Sequence, residues 1–180
     1  KFRKINSNYQ SPSFNTISCS GPNGAIVHYK ANKKTNRLIK KNDIYLCDSG
    51  GQYFYGTTDV TRTLCFSNPL QKIKNIFTKV LKGHIGVATH NLNKNTTGRE
   101  LDKIARAPLK KIGLDYAHGT GHGVGYFLNV HEGPQAISKY NYVKLREGMI
   151  VSNEPGYYET NKFGIRIENL VYIKKSKNKL

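Results

Sequence analysis

Four of the eleven acidic residues in this 180-residue chain stand in or beside strand-like apolar segments, and this placement constrains the fold most. Asp48 ends a short apolar run, and Asp59 lies within a β-rich stretch eleven positions further on. Glu154 follows a second apolar run, and Glu168 interrupts a third. Buried carboxylates need a partner or a metal, and four of them together raise one another's pKa values by repulsion. Two divalent cations would balance these four charges.

The periodicity of the remaining chain predicts an α+β fold with an antiparallel sheet and helices on one side. Thr97 and Glu100 have the spacing of a capping box before the second helix, and Pro108 should kink or shorten that helix. His84 lies beside the apolar stripe of the first helix, where we expect a packed histidine. The predicted strands are 43–48, 52–66, 149–154 and 164–173, and the predicted helices begin after Pro69 and Thr97.

The spacing of Asp48 and Asp59 allows them to lie on adjacent antiparallel strands around the turn at 49–51, so that their carboxylates meet. Thr57, Thr61 and Asp59 share one face of the second strand by the period of two. Most other acids flank turns or lie on helices, and we interpret them as solvated charges: Asp43, Glu100, Asp102, Asp115, Glu147 and Glu159.

The charge balance is strongly basic, with 29 Lys and Arg against 11 Asp and Glu and a net charge of +18. Such an excess often indicates a nucleic-acid partner. Here the lysines occur as singles and pairs along the whole chain, without a dense basic stretch. We therefore expect no nucleic-acid partner.

The apolar runs are too short to cross a membrane, and no apolar segment near the start resembles a secretory signal. The three cysteines, Cys19, Cys47 and Cys65, are odd in number and lie outside any Cys-x-x-Cys pair. We expect buried thiols without structural disulfides, no membrane contact and a cytoplasmic location.

Histidines complete the candidate chemistry. His118 and His122 lie four positions apart among four glycines, which permit close backbone approach. His131 follows in a second glycine-containing segment, and His28 lies far upstream. Together with the acids, they predict a hydrolytic metal site. An oxygen-rich donor set suits manganese, cobalt or iron better than structural zinc.

The same segments resemble the aminopeptidase P (Xaa-Pro aminopeptidase) family of the pita-bread metallopeptidases, which also include methionine aminopeptidases, prolidases and creatinases. The similarity runs in order from about residue 10 to 173. The matching blocks are Gly21-Pro-Asn-Gly-Ala-Ile-Val-His-Tyr29, Leu46-Cys-Asp-Ser-Gly-Gly-Gln-Tyr53, Gly56-Thr-Thr-Asp-Val-Thr-Arg-Thr63, His118-Gly-Thr-Gly-His-Gly-Val-Gly125, Asn129 to Pro134, Glu154-Pro-Gly-Tyr-Tyr158 and Gly164-Ile-Arg-Ile-Glu-Asn169.

The resemblance implies a role for each matching residue. The site would bind two divalent metal ions, which would be Mn²⁺ or, as alternatives, Co²⁺, Fe²⁺ or Zn²⁺. The five ligands would be Asp48, Asp59, His122, Glu154 and Glu168. Of these, Asp59 and Glu168 would bridge both ions. The catalytic and substrate-contacting residues would be His28, His118, His131 and Glu154. Tyr158 and Arg166 would support the ligands from behind.

The implied activity is release of the N-terminal residue from peptides with proline in the second position. In the family, a water that bridges two divalent metals attacks the scissile carbonyl. His131 would stabilise the oxyanion, His28 would lie near the scissile amide, and Glu154 would carry the proton to the leaving nitrogen.

The resemblance also implies a domain organisation. Residues 1–180 would form most of a C-terminal catalytic domain of the pita-bread fold, with helices on the outer face of a curved sheet. This domain would be incomplete at its N-terminal side, and the family's N-terminal domains are absent from this sequence. The first residue is Lys1 rather than Met, which favours an excerpt or a processed chain. The full-length protein could form a homodimer.

Two alternatives stay open. Prolidases cleave Xaa-Pro dipeptides and share the five ligands, although residues 119–125 and 129–134 look closer to aminopeptidase P. A non-catalytic pita-bread module that binds protein or RNA is the other alternative. Relatives of that kind lose metal ligands, whereas all five ligand positions are filled here.

Overall fold

The computed structural model describes residues 2–127 and 129–175, so Lys1, Leu128 and residues 176–180 of the predicted catalytic domain lie outside the described residues. Within these ranges the chain forms twelve short β-strands and two α-helices. The strands are β1 (Tyr9–Pro12), β2 (Ile17–Ser20), β3 (Ile44–Ser49), β4 (Gly51–Tyr53), β5 (Gly56–Thr57), β6 (Val60–Cys65), β7 (Gly121–His122), β8 (Ala136–Ile137), β9 (Ile150–Asn153), β10 (Gly156–Glu159), β11 (Phe163–Arg166) and β12 (Asn169–Tyr172). The helices are α1 (Gln71–Ala88) and α2 (Gly98–Lys110).

The strand pairs are antiparallel, as the α+β prediction requires, but they form small ladders of two or three strands rather than one continuous ladder. The ladder β2-β3-β6 contains the first predicted ligand strand. Asp48 on β3 lies opposite Thr61 on β6, and Asp59 immediately precedes β6. The prediction that these strands are adjacent is confirmed. The turn at 49–51 does not join them directly, because β4 and β5 form between them.

The predicted strand 164–173 is wrong as a single element. It is divided into β11, which pairs with β10, and β12, which pairs with β9. Between them, the N–H of Ile167 donates to Pro155 O and the N–H of Glu168 donates to Thr61 O. The chain therefore changes partners at this point, and the change directs the Glu168 side chain into the interior, where it is 1% exposed.

The helices begin close to the predicted positions, at Gln71 and Gly98. The capping box is present, with the N–H of Thr97 donating to the Glu100 carboxylate at 3.0 Å. Pro108 does not terminate α2, which ends two residues later at Lys110. The helices pack closely where α1 presents Gly83, since a Cβ at that position would overlap the carbonyl oxygen of Ala105.

Two apolar clusters join the helices to the strands. One contains Ile76 and Val80 of α1 with Ile44 of β3 and Ile165 of β11. The other connects both helices to β8 and β9. These contacts give rigid support to the strands that carry the predicted ligands. Among the residues that the structure describes, no helix is long and apolar enough to cross a membrane.

Candidate metal centre

The five predicted ligands come from separate segments of the fold. Asp48 lies in β3, and Asp59 immediately precedes β6. His122 ends β7, Glu154 directly follows β9, and Glu168 lies between β11 and β12. Asp48, Asp59 and Glu168 are buried, and His122 and Glu154 are half-buried. Each ligand therefore stands at or near the end of a short strand.

These side chains converge. His122 Nε2 lies 3.3 Å from Asp59 Oδ2 and 3.4 Å from Glu154 Oε1. Ligand atoms of Asp59, His122 and Glu168 all lie within 4.8 Å of one another. Separations of this size allow the three side chains to share one cation.

Hydrogen bonds from behind orient four of the five ligands. The hydroxyl of Thr61 donates to Glu168 Oε2 at 2.7 Å, and the hydroxyl of Ser152 donates to Glu154 Oε1 at 2.9 Å. The Arg166 guanidinium donates to Asp48 Oδ2 at 2.7 Å. His122 Nδ1 lies 3.0 Å from Gly123 O, which orients the ring as a metal-bound histidine is usually oriented.

Close backbone packing positions the His122 strand beside the Glu154 strand. The N–H of His122 donates to the hydroxyl of Ser152 at 2.9 Å, and a Cβ at Gly121 would overlap Ser152 O. Only glycine allows β7 to approach β9 this closely. This explains one of the glycines between His118 and His122.

Burial governs the protonation of the cluster. It raises the pKa of Glu154 to about 7 and the pKa of Glu168 to about 10, and nearby carboxylates add to the shift at Glu168. Burial also raises the pKa of Asp48, although Arg166 opposes this shift. At His122, burial lowers the pKa but the carboxylates of Asp59 and Glu154 outweigh it, so the pKa is raised. The cluster therefore holds more negative charge than the surrounding protein balances.

The donor set fits two divalent cations. Within residues 2–127 and 129–175, one oxygen of each of Asp48, Asp59 and Glu168 is buried without a hydrogen-bond partner. If Nδ1 of His122 donates to Gly123 O, the neutral ring directs its Nε2 lone pair toward two carboxylates, which is unfavourable unless a proton or a cation lies between them. Cations would satisfy both the orphaned oxygens and this lone pair.

The other three predicted histidines, His28, His118 and His131, line a cavity of about 540 Å³. The wall of this cavity also includes four of the predicted ligands: Asp48, Asp59, His122 and Glu154. His28 and His131 are exposed on this wall, and the His131 ring packs edge-on against the ring of His122 at a centroid distance of 4.1 Å. The apolar part of the wall is formed by Phe14, Ile17, Val27 and Val130. A cavity of this size accommodates a short peptide.

His118 and Tyr158 are held in a hydrogen-bonded chain with Arg166. The guanidinium of Arg166 donates to the Tyr158 hydroxyl at 2.8 Å, and that hydroxyl lies 2.9 Å from His118 Nε2. The other His118 nitrogen lies 2.7 Å from Gly119 O. Burial lowers the pKa of His118 to about 4, so the ring is neutral at neutral pH. Arg166 therefore contacts the predicted ligand Asp48 directly, and Tyr158 connects Arg166 to His118.

Three functional residues escaped the sequence reasoning. Ser152 supports Glu154, and nothing in its local sequence indicates this. The Thr61 hydroxyl donates to Glu168. Its place on the same face of the strand as Asp59 could have indicated that it lies near the site. The third residue is Asp102, and its interpretation as a solvated charge is wrong. It is 1% exposed and forms an ion pair with Arg106, because the face of α2 that carries it packs inward.

The raised pKa of Glu154 predicts how the stability of the metal-free protein depends on pH. Its pKa is higher in the folded protein (about 7) than in a freely solvated glutamate (4.5), so its contribution to stability is fully present below pH 4.5 and is lost as the pH rises to about 7. At 1.36 kcal/mol per pKa unit, the loss is on the order of 3 kcal/mol. We expect Glu154→Gln to remove this part of the slope in thermal unfolding with EDTA.

The exposed Glu147 provides the control for this measurement. Glu147→Gln should keep the wild-type slope between pH 4.5 and 7. Comparing each variant with wild type also cancels the opposite contribution of His118, whose depressed pKa adds stability as the pH rises through this window. An unchanged slope in Glu154→Gln would contradict the assignment.

Antiparallel ladders packed against two helices, with an oxygen-rich donor set at the strand ends, are typical of a metalloprotein of the pita-bread class. The model of metallopeptidase family M24 matches residues 1–175, and the chain belongs to this family. It is 55% identical over 168 residues to a probable Xaa-Pro aminopeptidase P of Laccaria bicolor, covering 92% of this chain and 26% of that protein.

Solved structures agree with this assignment. The X-prolyl aminopeptidase of Caenorhabditis elegans, described as a cytosolic enzyme with a dinuclear active site, superposes with a TM-score of 0.89 at 44% identity, covering 94% of this chain and 28% of that one. A prolidase from Pyrococcus furiosus superposes with a TM-score of 0.84 at 35% identity, covering 93% of this chain and 48% of that one. The chain spans between a quarter and three-tenths of the length of the curated relatives it matches.

Proposed function

We propose that the protein carrying this chain is a dinuclear metallo-aminopeptidase that releases the N-terminal residue from peptides with proline in the second position. The observation that carries this proposal is the convergence of Asp59, His122, Glu154 and Glu168 beside a peptide-sized cavity. The likeness to Xaa-Pro aminopeptidases over nearly the whole chain supports the choice of substrate.

Two divalent cations would be held by the five ligands, with Asp59 and Glu168 between them. When bound, the cations lower the pKa of a water molecule and withdraw electrons from the scissile carbonyl. We propose Mn²⁺ as the native ion, because four carboxylates and one imidazole form an oxygen-rich donor set. The orphaned oxygens of Asp48, Asp59 and Glu168 support this assignment of the ligands.

The chain's own side chains would bind, orient and protonate the substrate. Glu154 is fixed by Ser152, and a pKa near neutrality suits a group that accepts a proton and then gives it to the leaving nitrogen. His131 and His28 are exposed in the cavity wall, where their rings can donate to the oxyanion and contact the scissile amide.

The specificity for proline would come from shape. The leaving nitrogen of an Xaa-Pro bond is a tertiary amide without N–H, so recognition depends on the ring. The apolar wall that includes Phe14, Val27 and Val130 provides a surface of this kind.

Cleavage of matched peptides tests this function against that of a prolidase. With Mn²⁺ present, we expect the protein to release the first residue from an Xaa-Pro-Yaa tripeptide and to leave an Xaa-Ala-Yaa tripeptide intact. Cleavage restricted to the Xaa-Pro dipeptide would instead favour the prolidase activity of the Pyrococcus furiosus relative. EDTA should remove the activity, and Mn²⁺ should restore it.

Metal analysis tests the alternative of a non-catalytic binding module. We expect about two equivalents of divalent metal per chain by calorimetric titration, as a two-metal site requires. Titration without detectable metal binding, together with no peptide cleavage, would favour the binding module.

We further propose that residues 1–180 are most of the catalytic domain of a longer cytosolic protein. The share of its relatives that the chain spans supports the first part, and the cytosolic description of the nematode enzyme supports the second.

A further inference from the structure

A buried arginine of α2 binds the irregular segment that leads to the His118 and His122 region. Arg106 is 7% exposed, and its Nε donates to Asp102 Oδ2 at 2.8 Å. Its two terminal nitrogens donate to the backbone carbonyls of Tyr116 and His118, each at 2.6 Å. One of them also donates to Asp115 Oδ1 at 2.9 Å. One guanidinium therefore binds four acceptors.

The partner of this arginine extends the network toward the metal ligands. Asp102 is 1% exposed, and its second oxygen accepts a hydrogen bond from the Thr120 hydroxyl at 2.7 Å. The carbonyl of Thr120 in turn accepts the N–H of Glu154 at 2.7 Å. A continuous path of hydrogen bonds thus runs from α2 through Thr120 to the backbone of Glu154.

The segment between α2 and β7 has no regular secondary structure; apart from these hydrogen bonds it is held by the packing of Tyr116 in the core and by the contact of His118 with Tyr158. Residues 114–120 form neither helix nor strand, so their carbonyls lack the partners that regular structure provides. The planar guanidinium supplies donors in a fixed geometry, and it stacks on the Tyr116 ring at 3.9 Å. A lysine at this position keeps the charge but provides a single donor group that cannot reach all four acceptors.

We propose that Asp102 and Arg106 form a positioning clamp for the metal centre, holding residues 116–120 so that His118, His122 and Glu154 keep their places. Neither residue lines the cavity that contains the predicted ligands. The clamp acts through the backbone and through Thr120, and it makes no contact with substrate. Its catalytic consequence rests on the function proposed above.

Arg106→Lys and Asp102→Asn test the clamp, with Arg99→Lys as the matched control. Arg99 lies on the same helix and donates to the Tyr142 hydroxyl at 2.5 Å, which is not one of the acceptors that Arg106 binds. Groups that hydrogen-bond a metal ligand directly typically contribute 10- to 100-fold. Asp102 and Arg106 act one step further away, so we expect kcat to fall by about tenfold, the lower end of that range, in both clamp variants with KM within about threefold. The dissociation constant for Mn²⁺, measured by calorimetry, should rise roughly tenfold.

Amide exchange by mass spectrometry of the metal-free protein provides a readout that does not depend on activity. In the clamp variants we expect faster exchange over residues 114–123, with exchange in β3 and β6 unchanged. The control should match wild type in every measurement. A lower melting temperature with unchanged kcat, Mn²⁺ affinity and local exchange would overturn the proposal and leave a purely structural ion pair. Asp102→Asn keeps the shape of the side chain and provides the decisive variant if Arg106→Lys fails to fold.

The two proposals fail in different ways. If wild type binds Mn²⁺ but cleaves no Xaa-Pro peptide, the proposed function is wrong. The Mn²⁺ affinity and amide exchange of the variants then still test the clamp proposal. If wild type is active and the variants match it, only the clamp is wrong.

Discussion

Glu168→Gln is expected to reduce metal-dependent peptide cleavage by roughly 10³-fold, because a two-metal site contributes several kcal/mol to the stabilisation of transition-state charge. Glu168 is 1% exposed, and Oε2 already accepts the Thr61 hydroxyl, which leaves Oε1 directed at the cluster. Glutamine keeps the shape of the side chain but removes the charge that would join two cations. Steady-state cleavage of an Xaa-Pro-Yaa peptide measures the loss.

The same substitution is expected to stabilise the metal-free protein. Burial and neighbouring carboxylates raise the pKa of Glu168 to about 10, which shows that the ionised form is unfavourable in the folded chain. An amide at this position can donate to a carboxylate, and satisfying a buried polar group contributes about 1–3 kcal/mol. We therefore expect a higher melting temperature in EDTA and a smaller increase on adding Mn²⁺ than in wild type.

Glu147→Gln is the control for this experiment, because it removes an exposed carboxylate that does not line the cavity. It should leave the cleavage rate and both melting temperatures close to wild type. Asp59→Asn removes the charge of the second proposed bridging residue and should reproduce the loss of activity. Near-normal rates in Glu168→Gln or in Asp59→Asn would rule out the bridging role.

Arg166→Lys is expected to destabilise the metal-free protein by about 1–3 kcal/mol, the cost of leaving a buried hydrogen-bonding group without its partner. Arg166 is 2% exposed and binds Asp48 Oδ2, the Tyr158 hydroxyl and the Thr61 hydroxyl at 2.7, 2.8 and 3.2 Å. A lysine ammonium has no planar fork, so at least one of these acceptors would lose its donor. Urea unfolding in EDTA measures the change.

This substitution should also lower activity, because the Tyr158 hydroxyl connects Arg166 to His118. Arg146→Lys makes the same chemical change at an exposed position and should alter neither stability nor rate. A stability within about 0.5 kcal/mol of wild type, the scatter of ordinary surface substitutions, would contradict the role of Arg166 as the partner of Asp48.

Local patterns predicted the parts of this protein that depend on neighbours in sequence. The α1 stripe and the capping box of Thr97 and Glu100 follow from spacings of three and four residues. The segment 164–173 shows the limit of such patterns. Its apolar residues indicate a strand, yet hydrogen bonds from Ile167 to Pro155 and from Glu168 to Thr61 divide it in two. These partners lie in other parts of the chain, where local periodicity carries no information.

Asp102 failed as a prediction for the same reason. On a helix with charged neighbours it looks like a solvated acid, and its burial depends on how α2 packs against the segment that contains Thr120. The prediction that His84 is packed is confirmed, because its place beside an apolar stripe already indicated burial. His84 is buried, and its Nδ1 lies 3.0 Å from Asn153 O.

Residue type and order alone predicted a hydrolytic metal site, whereas the individual ligand roles were implied by the family resemblance and stay a prediction. Carboxylates within apolar strands are unstable without compensating charge, and the glycine-spaced histidines completed a metal-binding pattern that a single sequence displays. Tertiary structure decided which groups meet. Arg166 reaches Asp48 across 118 positions and Thr61 reaches Glu168 across 107, and these pairings depend on strand register and on the packing of α1 and α2. Register is a property of the assembled sheet. The spacing of residues in the sequence could therefore indicate candidate ligands, but it could not identify the side chains that orient them.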